Sequence, residues 1–206
     1  MKLLVVTAVE AEAEALRKGS DRIVVEAVGV GPAAAAAGTA RLLALAEVAG
    51  RPFQGVVSAG IAGGFAGRAD VGATVLGTRS IAADLGAESP DGFLPVDRLG
   101  FGSNVADADP DLLKALAMGL PDAVLGDVLT LATVTGTAAT AERLAAAHPD
   151  AVAEAMEGHG VACAAATAGI AFAELRTVSN IIGPRDRSAW RLADAFAALT
   201  AAATAF

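Results

Sequence analysis

The sequence is poor in aromatic residues and in cysteine. Aromatic residues make up 4% of the 206 residues, and tyrosine does not occur. The core must therefore be built from Ala, Val, Leu and Ile, and the 23 glycines allow helices to pack closely against a sheet. The single cysteine, Cys163, excludes an internal disulfide and a cysteine-based metal cluster.

Residues that bind transition metals are also scarce. The two histidines, His148 and His159, do not have the spacing of a metal-binding motif such as HExxH. We therefore expect neither a catalytic metal nor another cofactor, although a carboxylate site for a hard cation stays open.

Positive charge and long apolar runs are lacking as well. The formal net charge is −8 and the pI is about 4.7, which argues against a nucleic-acid partner. The apolar run near the start, residues 3–6, is too short for a signal-peptide core or a membrane span. We expect a cytoplasmic protein that does not bind membranes.

Short apolar runs alternate with helix-forming segments along the whole chain. The predicted strands cover residues 2–7, 22–28, 55–59, 73–83, 123–134 and 174–182. The predicted helices cover residues 8–16, 32–47, a segment that begins after Asp109, 138–147, 158–170 and 187–205. This alternation predicts one α/β domain over residues 1–206, with a central mixed sheet flanked by helices on both faces.

Two segments do not fit the alternation cleanly. Residues 151–157 are compatible with either a helix or a strand. Residues 84–108 are rich in Gly, Pro, Asp and Ser and predict a long excursion. Structureless segments of that length in compact domains are often functional or lid-like.

Three carboxylates, Glu10, Glu12 and Glu14, crowd the first turn of the first predicted helix. Each one taken alone is explained by a favourable interaction with the helix dipole. They also follow a strand, however, at the edge of the sheet where α/β proteins bind ligands. One of them could therefore point into a site.

Glycine-rich segments follow the second and third strands. The sequence Gly-Val-Gly-Pro at 29–32 hints at a phosphate loop, but Ala34 breaks the GxGxxG pattern and no Walker A lysine follows. Ser58 is not a nucleophile elbow, because Val56 stands where the motif needs glycine. The small residues at 59–64 either let backbone amides approach a ligand or form a tight turn.

An amide stands at the end of the last predicted strand. The apolar run at 177–178 stops at Ser179 and Asn180, and the chain then turns through Gly183 and Pro184. An asparagine can donate two hydrogens and accept through its oxygen, as one edge of a heterocycle requires. It can equally cap a turn.

Several short motifs occur together in a familiar order: Ser-Ala-Gly-Ile-Ala-Gly-Gly, Val-Thr-Gly-Thr, Ala-Met-Glu-Gly and Val-Ser-Asn. With the acidic helix start, they make the chain resemble the purine nucleoside phosphorylase and nucleosidase superfamily over nearly its whole length. It is most similar to the futalosine hydrolase branch, which is related to the methylthioadenosine/S-adenosylhomocysteine nucleosidases. The Met-Glu-Gly and Ser-Asn elements are the most specific.

The resemblance implies hydrolysis of the N-glycosidic bond of futalosine, with release of hypoxanthine, in menaquinone biosynthesis. It also implies a homodimer or a larger homo-oligomer. Three alternatives stay open: a methylthioadenosine-type nucleosidase, a phosphate-dependent purine nucleoside phosphorylase, and a nucleoside-binding protein without catalytic activity.

The resemblance also assigns residues to the sugar. Glu12 matches the acidic residue that activates the attacking water. Met156 and Glu157 match the pair that holds the ribose, with the carboxylate on the sugar hydroxyls. Ile61 and Gly63 belong to the segment that lies near the sugar and the nucleophile.

Residues near the base are implied in the same way. Thr137, Ala138 and Ala139 match the segment whose backbone faces the base. The adenosine nucleosidases carry an aromatic residue where Ala139 stands. Stacking on the base must then come from elsewhere, and Phe101 and Phe172 are the candidates.

Asn180 stands where those nucleosidases carry aspartate. Hypoxanthine presents a carbonyl at C6 beside N7, and an amide NH₂ can donate to these acceptors, whereas an ionised carboxylate would repel the carbonyl. A mismatched buried polar group costs about 1–3 kcal/mol, which is enough to select the base. Asn180 therefore favours a 6-oxopurine and is, with Glu12, a predicted catalytic residue.

Two arginines follow Asn180. Arg185 and Arg187 could bind the benzoate carboxylate on the 5′ arm of futalosine, because arginine pairs with carboxylates in a bidentate manner. Alternatively, they form a surface ion-pair cluster with Asp186. Trp190 either closes the same pocket or, as we expect, packs against the core.

Overall fold

The computed structural model describes residues 2–21 and 23–206. Its strands are β1 (Leu3–Thr7), β2 (Val24–Ala27), β3 (Gly55–Gly64), β4 (Thr74–Ala82), β5 (Gly86–Ser89), β6 (Gly92–Pro95), β7 (Val105–Asp107), β8 (Val124–Thr130), β9 (Ala151–Ala155) and β10 (Ala171–Ile181). Its α-helices are α1 (Glu10–Gly19), α2 (Pro32–Val48), α3 (Pro110–Gly119), α4 (Ala138–Ala147), α5 (Gly158–Ala168) and α6 (Leu192–Ala202). Short 3₁₀ turns cover Arg187–Ala189 and Ala203–Ala205.

The main sheet is mixed and partly closed on itself. Within the described residues its strand order is β2-β1-β3-β9-β8-β4-β10, with β7 on the outer side of β4. Strand β10 pairs antiparallel with β4 and also parallel with β3, so β3, β9, β8, β4 and β10 form a closed ring. The predicted α/β class with a central mixed sheet and flanking helices is confirmed.

The core lies on both faces of this sheet, because successive side chains of a strand point to opposite faces. Val5 of β1 packs into a cluster with Leu16 of α1 and Leu199 of α6. Its neighbour Val6 packs into a second cluster with Leu43 of α2 and Val161 of α5. The apolar strands therefore bury both sides, as strands covered by helices do.

Close packing of α2 against α5 positions one part of the site. A Cβ on Gly160 of α5 would lie 2.2 Å from the backbone oxygen of Pro32, so only glycine fits there. Gly31, which precedes α2, has φ of 89°, a conformation that glycine adopts without strain. The first turns of the two helices therefore lie side by side at the sheet edge.

Several predicted boundaries were wrong in ways that have physical reasons. The small residues at 60–64 continue β3 instead of forming a loop, because β10 and β9 pair with both sides of this segment. Strand β8 ends at Thr130, earlier than predicted. The ambiguous segment 151–157 is strand β9 up to Ala155.

The two least regular regions also differ from expectation. Residues 84–108 contain the β5–β6 hairpin and strand β7, so they are not structureless. The predicted helix 187–205 is broken into a 3₁₀ turn, α6 and a second 3₁₀ turn. Position 22 of the predicted second strand lies outside the described residues. Asp109 caps α3 as expected, accepting from the backbone of Asp111.

Among the residues that the structure describes, none of the helices combines the length and the apolar character that a membrane crossing requires.

Candidate functional site

A cavity of about 330 Å³ opens at the edge of the sheet where β1, β3, β9 and β10 end. Its lining combines apolar side chains with three carboxylates, one amide, two hydroxyls and one guanidinium. The residues that carry these groups are Glu12, Glu154, Glu157, Asn180, Thr135, Ser179 and Arg185. Convergence of a few polar groups in an apolar cavity is typical of small-molecule sites.

Glu12 is fixed at one end of the cavity. It lies in the first turn of α1, and its side chain is only 6% exposed. One carboxylate oxygen accepts from the backbone N–H groups of Ala8 (3.0 Å) and Val9 (3.2 Å), and the other accepts from Ile61 N–H (2.9 Å). The turn between β1 and α1 and the middle of β3 therefore hold this carboxylate from two sides.

The environment of Glu12 suits proton transfer. Burial raises the pKa of its carboxyl above the ordinary value, and the Ile61 amide and the charge of Arg176 oppose this only in part. A carboxylate with a raised pKa is a better proton acceptor near neutral pH than an exposed one. Gly60 leaves the necessary space, because a Cβ there would lie 2.6 Å from a Glu12 oxygen.

Glu157 lies beside Glu12, at the junction of β9 and α5. Its two oxygens accept from the backbone N–H groups of Gly31 and Met156, each at 3.2 Å. The close packing of α2 and α5 brings the Gly31 amide to this position. Glu157 therefore has a fixed orientation while its carboxylate still lines the cavity.

Arg176 is a buried cation that the sequence analysis missed. It lies on β10 and is 1% exposed. Its Nε donates to Glu174 at 2.9 Å, its Nη2 donates to Ser58 Oγ at 2.9 Å, and its Nη1 lies 3.5 Å from Glu157. An arginine inside the largely apolar run 171–178 is unusual, because arginine is rarely buried without a charged partner. The sequence could therefore have indicated a buried ion pair at this position.

Glu174 completes this group behind the cavity. It is fully buried, and burial raises the pKa of its carboxyl, while the Arg176 charge acts in the opposite direction. A Cβ on Gly158 would lie 2.2 Å from one Glu174 oxygen, so glycine is required there. We call Glu12, Glu157, Glu174 and Arg176 the ionic end of the site.

Asn180 lies at the other end of the cavity. The Ser179 hydroxyl donates to its amide oxygen at 2.8 Å, and its own Nδ2 donates to the Ile181 carbonyl at 3.2 Å. These bonds set the orientation of the amide and use one of its two hydrogens. The second hydrogen is free to meet a ligand in the cavity.

Glu154 lies on the same side of the cavity. It is 4% exposed, and its oxygens accept from Thr135 N–H at 2.7 Å and Thr135 Oγ1 at 2.5 Å. Sequence analysis did not single it out, because segment 151–157 was ambiguous between helix and strand. We call Asn180, Ser179, Glu154 and Thr135 the amide end.

The three residues predicted to face the base are not part of the lining of this cavity. Thr137 is the N-cap of α4, with its hydroxyl accepting from Thr140 N–H at 3.1 Å, and Ala138 and Ala139 begin the helix. All three are exposed and lie outside the cavity lining. Val134 and Thr135, which precede these residues in the chain, line the cavity instead. Helix α4 begins at Ala138, a few residues later.

The two expected stacking residues are also absent from the lining. Phe172 packs in the core with α2 and α5, and Phe101 is 81% exposed. Trp190 and Phe196 line the cavity instead. The expectation that Trp190 packs in the core was therefore wrong, because the chain between β10 and α6 folds over the cavity.

The two arginines after Asn180 have different positions. Arg185 lines the cavity and Arg187 does not, although both guanidinium groups lie close to the Trp190 ring, at 5.4 and 5.8 Å from its centroid. Asp186 accepts from Ser188 N–H at 2.9 Å. Within residues 184–191, all of which are described, Asp186 forms no ion pair with either arginine, so the alternative of an ion-pair cluster is not seen.

Of the other predicted site residues, Ile61, Gly63 and Met156 line the cavity. Ile61 lies at the ionic end, where its backbone holds Glu12. Gly63 lies between Asn180 and Glu154 in the pairing of β3 with its neighbours. The structure thus brings the predicted groups of both ends into one cavity.

Comparisons with known proteins agree with this geometry. A family model described as the phosphorylase superfamily matches residues 7–206. A futalosine hydrolase of Streptomyces coelicolor is 56% identical over 174 residues, covering 84% of this chain and 74% of the relative. A futalosine hydrolase of Acidothermus cellulolyticus is 44% identical and covers 98% of this chain and 91% of its own.

Solved structures share the fold at low sequence identity. A methylthioadenosine/S-adenosylhomocysteine nucleosidase of Colwellia psychrerythraea, in complex with adenine, has a TM-score of 0.82 at 23% identity, covering 100% of this chain and 92% of that one. A futalosine hydrolase of Helicobacter pylori has a TM-score of 0.78 at 16% identity, covering 98% and 94%. The expected nucleoside phosphorylase-like fold is thereby confirmed.

The sequence identity to these relatives, and the share of the chain that it covers, establish common family membership as well as a common fold. The chain belongs to the phosphorylase superfamily and, within it, to the futalosine hydrolase family.

Proposed function

We propose that this protein hydrolyses the N-glycosidic bond of futalosine, releasing hypoxanthine and dehypoxanthine futalosine, as a step of menaquinone biosynthesis. The observation that carries the proposal is one cavity with a buried, hydrogen-bonded Glu12 at one end and the Asn180 amide at the other. The sequence relatives from Streptomyces coelicolor and Acidothermus cellulolyticus are futalosine hydrolases, which supports the assignment of the substrate.

The ionic end matches the charge that develops on the sugar. Breaking an N-glycosidic bond builds positive charge on the sugar ring, as in glycoside hydrolysis. Glu12 takes a proton from the attacking water, and Glu157 accepts hydrogen bonds from the sugar hydroxyls. Both carboxylates also lie where negative charge stabilises a cationic transition state.

Arg176 allows these carboxylates to coexist. The charge of Glu157 raises the pKa of Glu12 and of Glu174, and the charge of the Arg176 guanidinium lowers the pKa of both. It is buried behind the cavity and is not one of the lining residues. It therefore acts as a positioning residue that favours the ionised form of Glu12 and forms an ion pair with Glu157 at 3.5 Å.

The amide end matches the purine. As the bond breaks, negative charge accumulates on the leaving base, and the free hydrogen of Asn180 donates to N7 or O6. An aspartate at this position would meet the C6 carbonyl of hypoxanthine with a like partial charge. A mismatch of this kind costs about 1–3 kcal/mol, so Asn180 favours a 6-oxopurine over adenine.

The 5′ arm of futalosine carries a benzoate, and Arg185 is the lining cation placed to pair with its carboxylate. Arg187 lies outside the lining but close to the same indole ring, and it contributes positive charge at the rim. Trp190 gives the aromatic part of the arm an apolar surface. These three residues form the proposed arm-binding region.

A phosphate-dependent phosphorylase is the second candidate in this family. The cavity has carboxylates at the ionic end. Among its described lining residues the one cation is Arg185, which lies near Trp190 at the rim and not at the ionic end. Carboxylates at the nucleophile position repel phosphate and suit a neutral water. Hydrolysis is therefore the better match.

The test is purine release from futalosine in phosphate-free buffer, with methylthioadenosine as the parallel substrate. We expect hypoxanthine release that does not increase on addition of phosphate, and much slower release of adenine. Strict dependence on phosphate would contradict hydrolysis. Preferential cleavage of methylthioadenosine would contradict the assignment of the substrate.

We also propose that the protein works in the cytoplasm as a homodimer or larger assembly. The resemblance to the superfamily supports an assembly, in which contact with another subunit would cover exposed apolar side chains such as Val48 (88% exposed) and Phe101 (81% exposed). Analytical ultracentrifugation tests this proposal. A monomer at micromolar concentration would contradict it.

A further inference from the structure

Glu174 is a buried carboxylate to which the mechanism above gives no role. It lies on β10, is fully buried, and is not a lining residue of the cavity. A buried ion pair does not by itself stabilise a fold, because apolar residues of similar size in its place are often neutral or stabilising. The ion pair of Glu174 with Arg176 therefore indicates a role other than stability.

The strand places Glu174 and Arg176 on the same face of β10, because alternate residues of a strand point to one side. The Arg176 Nε donates to Glu174 Oε1 at 2.9 Å. Ser58 is the register partner of Glu174 on β3, and Arg176 Nη2 donates to its hydroxyl at 2.9 Å. Two residues that do not line the cavity therefore hold two of the three guanidinium nitrogens.

Glycines on three neighbouring elements make room for this pair. A Cβ on Gly158 of α5 would lie 2.2 Å from Glu174 Oε2, and one on Gly77 of β4 would lie 3.2 Å from Glu174 Cβ. A Cβ on Gly60 of β3 would lie 3.0 Å from Arg176 Nη1. Larger residues at these positions would displace the carboxylate or the guanidinium, so the local backbone is compatible with this arrangement of the pair.

The third nitrogen, Nη1, faces the carboxylates of the cavity. It lies 3.5 Å from Glu157 Oε2, whereas a charge-assisted hydrogen bond measures about 2.7–2.9 Å. The Glu157 oxygens accept from the backbone N–H groups of Gly31 and Met156 instead. Arg176 thus contributes its charge at Glu157 without a short hydrogen bond to it.

We propose that Glu174 is a positioning residue that anchors Nε of Arg176 and thereby keeps Nη1 from closing onto Glu157. The proposal rests on the proposed function, in which Glu157 accepts hydrogen bonds from the sugar hydroxyls. A carboxylate has about four acceptor positions, and the backbone already occupies two of those on Glu157. Without the anchor, the guanidinium would occupy a position that the sugar needs.

Movement of the guanidinium would also affect Glu12. A Cβ on Gly60 would lie 2.6 Å from Glu12 Oε1 and 3.0 Å from Arg176 Nη1, so both groups lie over the same glycine. A guanidinium released from Glu174 could approach both cavity carboxylates. The anchor therefore preserves the distance between the cation and the proposed base.

The charges around these groups give the expected direction. Burial and the charge of Glu157 raise the pKa of Glu12, and the charge of Arg176 lowers it. Burial and the charge of Glu157 likewise raise the pKa of Glu174, and Arg176 and the Ser80 hydroxyl lower it. A closer guanidinium would lower the pKa of Glu12 further, because attraction between opposite charges increases as they approach. Loss of Glu174 should therefore make Glu12 less basic.

The first test is a crystal structure of Glu174→Met, which removes the anchor and keeps a side chain of similar length. We expect the distance from Arg176 Nη1 to Glu157 Oε2 to shorten from 3.5 Å to about 2.8 Å. An unchanged guanidinium would overturn the proposal. Glu174→Gln retains an oxygen that can accept from Nε, so in that variant the guanidinium should stay in place, and its movement would also contradict the anchor.

The second test is the pH dependence of kcat/KM for futalosine. For Glu174→Met we expect a decrease of about 10- to 100-fold and a shift of the acidic limb to lower pH, with hypoxanthine affinity close to that of the wild type. Glu174→Gln should restore most of the activity. An acidic limb that does not move, or an equal loss in Glu174→Gln, would contradict the proposed role.

Asp127→Leu is the matched control. Asp127 is a buried carboxylate of β8 that is ion-paired with Arg79, and neither residue lines the cavity. This variant also loses a buried ion pair, so its stability should decrease, but its acidic limb should stay at the wild-type pH. An equal shift of the limb in Asp127→Leu would show that loss of any buried carboxylate has this effect, and would overturn the role of Glu174.

The two levels of inference fail differently. If the wild-type protein does not cleave futalosine, the proposed function fails, while the structure of Glu174→Met still tests the anchor. If the wild type cleaves futalosine and Glu174→Met leaves the guanidinium and the acidic limb unchanged, only the role of Glu174 fails.

Discussion

The two ends of the cavity bury charge in different ways. At the ionic end, three carboxylates share the Arg176 guanidinium, and the arrangement is fixed by ion pairs at 2.9 and 3.5 Å. At the amide end, the Glu154 carboxylate is held by Thr135 alone, through neutral donors. The ionic end therefore contains a buried cation, Arg176, whereas the amide end contains none among its four residues.

This difference follows from what each end must stabilise. The sugar becomes cationic in the transition state, so an excess of carboxylates is useful there, and a buried arginine makes that excess tolerable. In the proposed mechanism the purine becomes anionic as it leaves, and the neutral Asn180 amide donates a hydrogen bond to it. We expect changes at the ionic end to abolish turnover or folding, and changes at the amide end to alter selectivity.

The largest effect on turnover should come from Glu12→Gln. Loss of the proton acceptor should lower kcat by about 10²–10⁴-fold while affinity for hypoxanthine, which binds at the other end, stays close to that of the wild type. Steady-state kinetics and product titration measure the two quantities. A variant with near-normal kcat would show that Glu12 does not activate the water.

The pH profile of the wild type provides the control for this role. Glu12 must be ionised to accept a proton, so kcat/KM should decrease as the pH falls through its pKa. Because burial raises that pKa, the decrease should begin at a higher pH than for an exposed glutamate. A profile without this acidic limb would speak against Glu12 as the base.

The next effect is on folding. Arg176→Met removes the buried cation and leaves Glu174 and Glu157 without their partner, which should lower the free energy of unfolding by about 3–5 kcal/mol. The matched control is Arg191→Met, because Arg191 pairs with Asp194 on the surface and should contribute about 0–1 kcal/mol. Urea denaturation measures both, and similar losses would contradict the distinction.

A smaller effect, on selectivity, is expected for Asn180→Asp. The carboxylate should repel the C6 carbonyl, so kcat/KM for futalosine should fall by about 10- to 100-fold. Cleavage of the 6-amino analogue should be retained or improved, because an amine donates to a carboxylate. The analogue thus serves as the internal control, and a parallel loss for both substrates would mean that Asn180 only orders the turn.

The smallest effect should come from the rim. Arg185→Ala should raise KM for futalosine by about 5- to 10-fold, as expected for loss of one partly exposed charged contact, with kcat little changed. Arg187→Ala is the matched control, because Arg187 lies outside the lining and should have a weaker effect. Equal effects would place the benzoate differently from our proposal.

Some residues of the site are recognisable from the sequence, and others only from the structure. Glu12 and Asn180 were predictable because each stands where a strand ends, and strand ends meet at one edge of a sheet. Arg176 was hidden inside an apolar strand, where only the three-dimensional partners show that its charge is compensated. The position of Glu154 depended on strand register, which alternation of residue types alone does not determine.

Several residues predicted to contact the base lie outside the cavity lining for a related reason. Thr137, Ala138 and Ala139 were assigned by position within a motif, but Thr137 caps α4 and none of the three lines the cavity. Phe172 was considered for stacking, yet its strand places it in the core between α2 and α5. Local sequence identifies the segment correctly, whereas the helix start and the strand face decide which residue reaches the ligand.

The most direct test is a crystal structure of the protein with hypoxanthine bound. We predict that the ring lies at the amide end, with Asn180 donating to the O6 and N7 edge, and with Glu12 still buried at the opposite end. A purine bound at the ionic end, or outside the cavity, would contradict the division of roles between the two ends.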